Sequence, residues 1–183
     1  MSTIRHLVAR FFGSIVPRRL SETDRHWVHV QLSEPEAALW TKLRRADAVE
    51  SVDVARRALI ALQSVGSDDA DATNVIAAAL LHDVGKLDSD LGTYGRVVAT
   101  VAGKLAGPSM AQAWVHTSGF TRRCGLYLQH AELGGVRIRV AGGREVAAAW
   151  AVAHHDPELW PVSGLTYEQC QMLAAADGER PRS

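Results

Sequence analysis

Ala77-Ala78-Ala79-Leu80-Leu81-His82-Asp83-Val84-Gly85-Lys86 is the stretch on which the fold turns. The run from Val75 to Leu81 carries no charge, so the spacing predicts a helix that lies inside a domain rather than on its surface. That helix carries a histidine and an aspartate on its last turn and stops at Gly85. Burying an ionisable His-Asp pair costs several kcal/mol unless something compensates it. A metal ion is the most economical compensation, because imidazole and carboxylate both ligate first-row metals and the cation removes the desolvation problem. The plainer alternative is a helix that ends on an exposed aspartate beside a histidine that merely packs. The rest of the chain decides between them.

The chain has 183 residues, enough for one domain with a proper core. Its 20 basic and 20 acidic residues cancel to a formal net charge of zero, which argues against a nucleic-acid binder that relies on bulk electrostatics. Cys124 and Cys170 cannot build a disulfide framework and do not have metal-ligand spacing, so a reducing cytoplasm is the simplest compartment. No apolar run approaches the ~20 residues of a spanning helix. Arg10 interrupts the N-terminal apolar segment and no Ala-x-Ala site follows, so no signal peptide is expected.

Residues 3–16 place Ile4, Leu7, Val8, Phe11, Phe12, Ile15 and Val16 on one face, with Arg5, His6 and Arg10 opposite. This predicts an amphipathic, basic helix. It would lay its stripe on the domain or, as the sharper alternative, make a weak membrane-surface or partner contact through residues 3–19. With a connector over 20–33, in which Ser21 caps and Trp27 anchors, it forms an N-terminal segment, 1–32, ahead of a domain at 33–183.

Ser33-Glu34-Pro35-Glu36 opens a helix that the pattern carries to about Arg45. Further helices are expected over 47–64, from Thr73 to the His82-Asp83 pair, and from Arg96 to about Leu105. Arg122–Leu133 should form another, followed by Gly134-Gly135. The Val136–Val140 stretch alternates but is short and reads as continuing helix. Residues 144–154 make an Ala/Val/Trp helix delivering His154-His155-Asp156 before Pro157, and Thr166 caps a last helix that ends near Asp177-Gly178. Nothing between 34 and 178 alternates convincingly as strand. The expected fold class is all-α.

Candidate ligands therefore fall on four different predicted helices: His82-Asp83, His130, His154-His155 and Asp177. Four of the eight histidines lie in three of these places, and two adjacent imidazoles at the end of an apolar helix need partners.

These residues resemble a family. His82-Asp83-Val84-Gly85-Lys86 resembles the signature of HD-domain metal-dependent phosphohydrolases. His130-Ala131-Glu132-Leu133-Gly134-Gly135, then His154-His155-Asp156, then Ala174-Ala175-Ala176-Asp177, follow in the order of the dinuclear branch, which includes HD-GYP and related cyclic-dinucleotide phosphodiesterases. The likeness covers roughly 45–178 and implies an HD-domain helical bundle. It implies two divalent transition-metal ions, Fe, Mn or Zn. One would be held by His82, Asp83, Asp177 and a further ligand from the preceding helix, the other by His130, His154 and His155, with Asp83 bridging. It implies hydrolysis of a phosphorylated small molecule or nucleotide by a metal-activated hydroxide, with Lys86 near the metals.

Two departures stand out. The family's first histidine begins a His-x-x-x-Val-Ala pattern, and Glu50-Ser51-Val52-Asp53-Val54-Ala55 puts Glu50 there, with Asp53 in reserve. The Gly-Tyr-Pro segment is missing after His155, where Asp156-Pro157-Glu158-Leu159-Trp160-Pro161 stands, so a cyclic-dinucleotide substrate does not carry over. Arg96 is the best-placed substrate contact, since arginine matches phosphate bidentately. Tyr94, Lys104, Arg122 and Arg123 are weaker candidates, and Trp150 and Trp160 read as core. The alternative function is a degenerate module of this type, binding a nucleotide or protein partner without turnover.

Overall fold

The computed structural model describes residues 19–65 and 69–178, and among them the chain forms α-helices and two short 3-10 helices with no strand. The amphipathic helix expected over 3–16 lies outside the described residues.

The first described element corrects an expectation. Residues 20–33 are not a connector but hold helix α1, Glu22–Gln31. Its start is a capping box: Ser21 Oγ accepts the Asp24 N–H at 3.0 Å, and Asp24 Oδ2 accepts the Ser21 N–H at 3.1 Å. Val28 and Leu32 are buried in the same core as the rest of the bundle, so α1 is one of its walls rather than a tether to it.

Helix α2 (Glu34–Trp40) is shorter than its pattern suggests. Trp40 is buried and donates its indole N–H to Ser51 Oγ at 2.9 Å, and three-residue bonds from Lys42 and Leu43 tighten the chain into a turn there. Helix α3 (Arg45–Val65) and helix α4 (Asp69–Leu81) follow. Every side chain from Val75 to Leu81 is buried, as an uncharged run of that length requires. Helix α4 is the axis of the molecule, packed by α3 on one side and by α9 (Glu145–Ala153) on the other.

A 3-10 turn, Val84–Asp88, leads into α5 (Thr93–Ala106) and α6 (Pro108–Trp114), the latter opened by its proline and unanticipated from the pattern. Then come α7 (Gly119–Leu128) and α8 (His130–Ala141), a second 3-10 turn (Pro157–Val162) after α9, and α10 (Tyr167–Asp177). The last begins with the expected Thr166 cap: Thr166 Oγ1 accepts the Gln169 N–H at 3.2 Å and Gln169 Oε1 returns the bond at 2.9 Å.

One break falls elsewhere than the glycines suggest. The chain interrupts at Gln129, and Gly134-Gly135 continue inside α8. They serve close packing. A methyl at Gly135 would come within 2.6 Å of Val152 Cγ2 and 2.9 Å of Ala148 O, so the pair lets α8 and α9 touch backbone to backbone. Gly85 is tighter still: a Cβ there would stand 1.9 Å from His130 O and 2.6 Å from Gly134 N. The 3-10 turn after Asp83 is thereby pressed on the first turn of α8.

Candidate metal centre

Three histidines end or begin helices in the same local way. His82 follows α4, and its Nδ1 meets Ala79 O at 2.8 Å. His130 opens α8 with Nδ1 2.8 Å from Tyr127 O, and His154 caps α9 with Nδ1 2.7 Å from Ala151 O. A carbonyl can only accept, so each Nδ1 carries the hydrogen and each Nε2 is the nitrogen presented to the interior. The three-residue backstep that orients these rings is favoured at a helix end, where carbonyls lack the regular partner four residues further along.

The Nε2 atoms converge on Asp83. His130 Nε2 lies 3.4 Å and His154 Nε2 3.9 Å from Asp83 Oδ1, while His82 Nε2 lies 3.4 Å from Asp83 Oδ2 and 3.7 Å from Asp177 Oδ1. His155 enters from the solvent side, its Nε2 3.0 Å from that of His130. One ligand-type atom each from His130, His154 and His155 fall within 4.8 Å of one another, a group able to hold a metal ion. Thus His82, Asp83, His130, His154, His155 and Asp177, all singled out in the sequence, are brought together from α4, α8, α9 and α10.

His82 Nε2, His154 Nε2 and Asp83 Oδ1 are buried and make no hydrogen bond. An unmade bond at a buried polar atom costs about 1–3 kcal/mol, so three of them facing one space form a concentrated debt that a cation would cancel at once. The donor set of imidazole nitrogens with carboxylate oxygens suits a first-row transition metal. These residues fit such an ion.

Electrostatics around the cluster are strongly coupled. Burial opposes ionisation of Asp83, but Lys86 and His82 outweigh it and hold the carboxyl well below its usual range. Burial would likewise depress His82, yet Asp83 and then Asp177 lift it to about 9. His130 and His154 go the other way, because desolvation dominates and keeps both imidazoles neutral, as ligands must be, whereas His82 would release its extra proton on taking up a metal. Lys86 forms an ion pair with Asp83 Oδ2. Burial alone would lower its pKa, but Asp83, followed by Tyr127, Glu50 and Asp47, raises it.

The remaining expected site residues sit around this centre in other roles. Glu50 is half-buried on α3, where its charge acts on Lys86. Arg96 forms a bidentate ion pair with the buried Asp47, with Nη2 2.7 Å from Oδ2, and gives its Nε–H to Leu91 O at 3.0 Å. Its fork is thus turned to a carboxylate of its own chain rather than presented outward. Arg123 holds Ser89 O at 3.0 Å, and Tyr94 is exposed. Trp150 and Trp160 are core, as expected.

Two supporting groups were not anticipated. Glu36 is fully buried and ties α2 to the start of α9: Oε1 accepts the Arg144 backbone N–H at 2.8 Å, and Oε2 accepts Arg144 Nη2–H at 2.7 Å. The acid-rich start of α2 was visible in sequence, but a partner 108 residues away was not. Tyr127, three residues before His130, supplies both the carbonyl for His130 Nδ1 and a ring stacked on its imidazole.

Fold and site together define an all-α bundle with a buried histidine–carboxylate cluster of metal-binding type. Comparison of the chain with protein-family models, with curated proteins and with solved structures finds no match.

Proposed function

We propose that the protein is a metal-dependent phosphohydrolase of the HD-domain kind, acting on a phosphoester or nucleotide-type substrate. The observation that carries this reading is the set of buried atoms without hydrogen bonds, His82 Nε2, His154 Nε2 and Asp83 Oδ1, aimed at one another beside His130, His155 and Asp177. Asp83 has His82 near one carboxylate oxygen and His130 and His154 near the other, so two ions would be held with its help, one by His82 and Asp177 and one by His130, His154 and His155. Glu50, which stands where the family has a histidine and whose charge acts on Lys86, would be the further ligand to the first of these. Ions of Fe, Mn or Zn held there would acidify a water and neutralise charge on a phosphoryl group.

The chain's own groups do the rest. Asp83 keeps its negative charge because Lys86 and His82 stabilise it. The Nδ1 bonds fix the three ring orientations before any ligand arrives. The Lys86 ammonium lies beside Asp83, where it would stabilise charge developing on phosphoryl oxygens. His155, the exposed member, marks the side from which a substrate enters. Among the described residues no helix is long and apolar enough to cross a membrane.

One observation favours a second reading, a module of this kind that binds a nucleotide or partner without turnover: Glu50 stands where the family's first histidine would be. Metal content and activity separate the two. The hydrolase reading expects about two Fe, Mn or Zn ions per chain after anaerobic purification without chelators. It also expects phosphoesterase activity that Asp83→Ala abolishes together with the metal. Metal uptake without turnover of any phosphoester or nucleotide in a broad screen would favour the binding module. No uptake even after reconstitution would sink the hydrolase reading.

A further inference from the structure

Tyr127 closes α7 two residues before the break from which His130 emerges. Its ring lies against the His130 imidazole with centroids 5.6 Å apart and planes 23° from parallel. Its own carbonyl receives the His130 Nδ1–H, so one residue holds that imidazole by both its main chain and its side chain. The ring is itself fixed. The Arg96 guanidinium carbon lies 5.9 Å from its centroid, within cation–π range, and Arg96 is anchored by Asp47 and Leu91 O. The residue is only half-buried, so part of it faces solvent. His130 Nε2 in turn lies 3.4 Å from Asp83 Oδ1, and Lys86 pairs with the other oxygen of that carboxylate, so the Tyr127 ring stands against the imidazole that adjoins the Asp83–Lys86 pair.

We propose that Tyr127 is a substrate-contacting residue whose hydroxyl donates to a phosphoryl oxygen beside Lys86, while its ring positions His130 as a ligand. This inference rests on the phosphohydrolase reading and deepens it. Lys86 is paired with Asp83 and Arg96 with Asp47, so both cations near the cluster already face carboxylates. A hydroxyl on the ring beside them would add a donor for a phosphoryl oxygen without adding a further cation. Its rigidity matters as well: a ring pinned by a guanidinium and an imidazole loses little freedom when its hydroxyl engages a ligand.

The two roles separate by substitution. Tyr127→Phe keeps the ring and the carbonyl and removes only the hydroxyl, whereas Tyr127→Leu removes the stacking surface. Inorganic phosphate is the probe, titrated calorimetrically into the manganese-loaded full chain, with manganese affinity measured separately on each variant. Tyr127→Phe should fold and bind manganese as the parent does, and bind phosphate about tenfold more weakly, the loss expected for one hydrogen bond to a charged acceptor. Tyr127→Leu should weaken manganese binding about tenfold as well, in the range seen when a group orienting a ligand histidine is lost. If the parent takes up manganese and Tyr127→Phe binds phosphate as tightly as the parent, the contact is overturned and the phosphohydrolase reading stands. If Tyr127→Leu binds manganese as the parent does, the positioning role is overturned. A parent chain that takes up no metal overturns both readings together.

Discussion

The helices around α4 and the three helices α5–α7 bury their side chains very differently. In the first region Val52, Ala55, Leu62, Leu80, Leu81, Trp150 and Leu173 belong to one continuous core spanning α1–α4 and α8–α10. In the second, Leu91, Ala99 and Cys124 make a small cluster of their own, with Trp114 and Tyr127 packed against it, and Ala111 and Leu126 are buried outside it. Helix α5 even leaves apolar side chains in water on its outer face: Val98, Val101 and Leu105 are exposed, Leu105 at 84%. What fastens this lobe is polar. Arg96 reaches Asp47, Arg44 reaches Asp90, and Arg123 takes Ser89 O, three arginines that fasten α5 to α3 and hold the adjacent residues Ser89 and Asp90. The main body is held by area and the lobe by a handful of directed contacts. A region with so little buried area opens at lower free energy than the molecule as a whole. The metal-type cluster belongs to the deep core, whereas Tyr127 and Arg96, the groups beside its open edge, belong to the shallow one.

The contrast can be broken most directly at Glu36, which ties two helices of the main body. Glu36→Ala leaves the Arg144 guanidinium without its carboxylate and should lower the urea unfolding free energy by about 3–5 kcal/mol, as for one partner removed from a buried pair. A loss below ~1 kcal/mol would mean that the pair is peripheral to the core. The same carboxylate sets an acid limb. Burial pushes the Glu36 pKa up, but the bonds from Arg144 and Ser33 prevail and hold it below the usual 4.5. The unfolded chain therefore binds the proton more readily, so this contribution is complete above 4.5 and fades as pH falls through the folded value. Unfolding followed at descending pH should show that decline, and Glu36→Gln should flatten it.

Matched truncations sharpen the comparison next. Leu62→Ala removes a side chain from the main core and should cost about 2–5 kcal/mol of global stability. Leu91→Ala makes the same cut in the lobe. Its cost should appear chiefly as faster amide exchange over 93–128, with α4 and α9 amides little changed. Equal slowing or quickening across both regions would show one cooperative unit instead of two.

Gly85→Ala tests the seam between the cluster and α8. The added methyl meets backbone atoms that no side-chain rotation can clear, so a loss of about 1–3 kcal/mol is expected. Weaker metal binding should accompany it, since Asp83 and His130 flank the contact. The smallest effect should come from the exposed face of α5: Leu105→Glu should change stability by less than ~0.5 kcal/mol. A larger loss would show that this face is covered in solution.

Much of this architecture was legible in the residues. The uncharged run Val75–Leu81 declared a buried helix, Thr166 declared a cap, and the histidines and aspartates at helix ends converge as their types suggested. Periodicity failed where local and distant forces trade places. Residues 20–33 looked irregular because their apolar residues are few, yet the Ser21–Asp24 box and the burial of Val28 make them helical. Gly134-Gly135 looked like a seam with helix continuing beyond it, whereas they lie inside α8 and answer to Gly85, Ala148 and Val152 on neighbouring elements. Arg96 looked like a phosphate fork until Asp47, 49 residues earlier in the chain, came to meet it. The Glu36–Arg144 tie and the stacking of Tyr127 on His130 are consequences of assembly that no single stretch announces.

The backstep from each imidazole to the carbonyl three residues before it also gives the centre a signal of its own. His82, His130 and His154 each keep an Nδ1 hydrogen tucked against the main chain and away from bulk water. Protons so sheltered trade slowly with solvent, so these rings should give discrete low-field proton resonances in magnetic resonance spectra. Because every one belongs to a helix terminus, their persistence or broadening would report the integrity of three separate helix ends at single-residue detail. The ring that faces water, His155, would serve as the internal contrast.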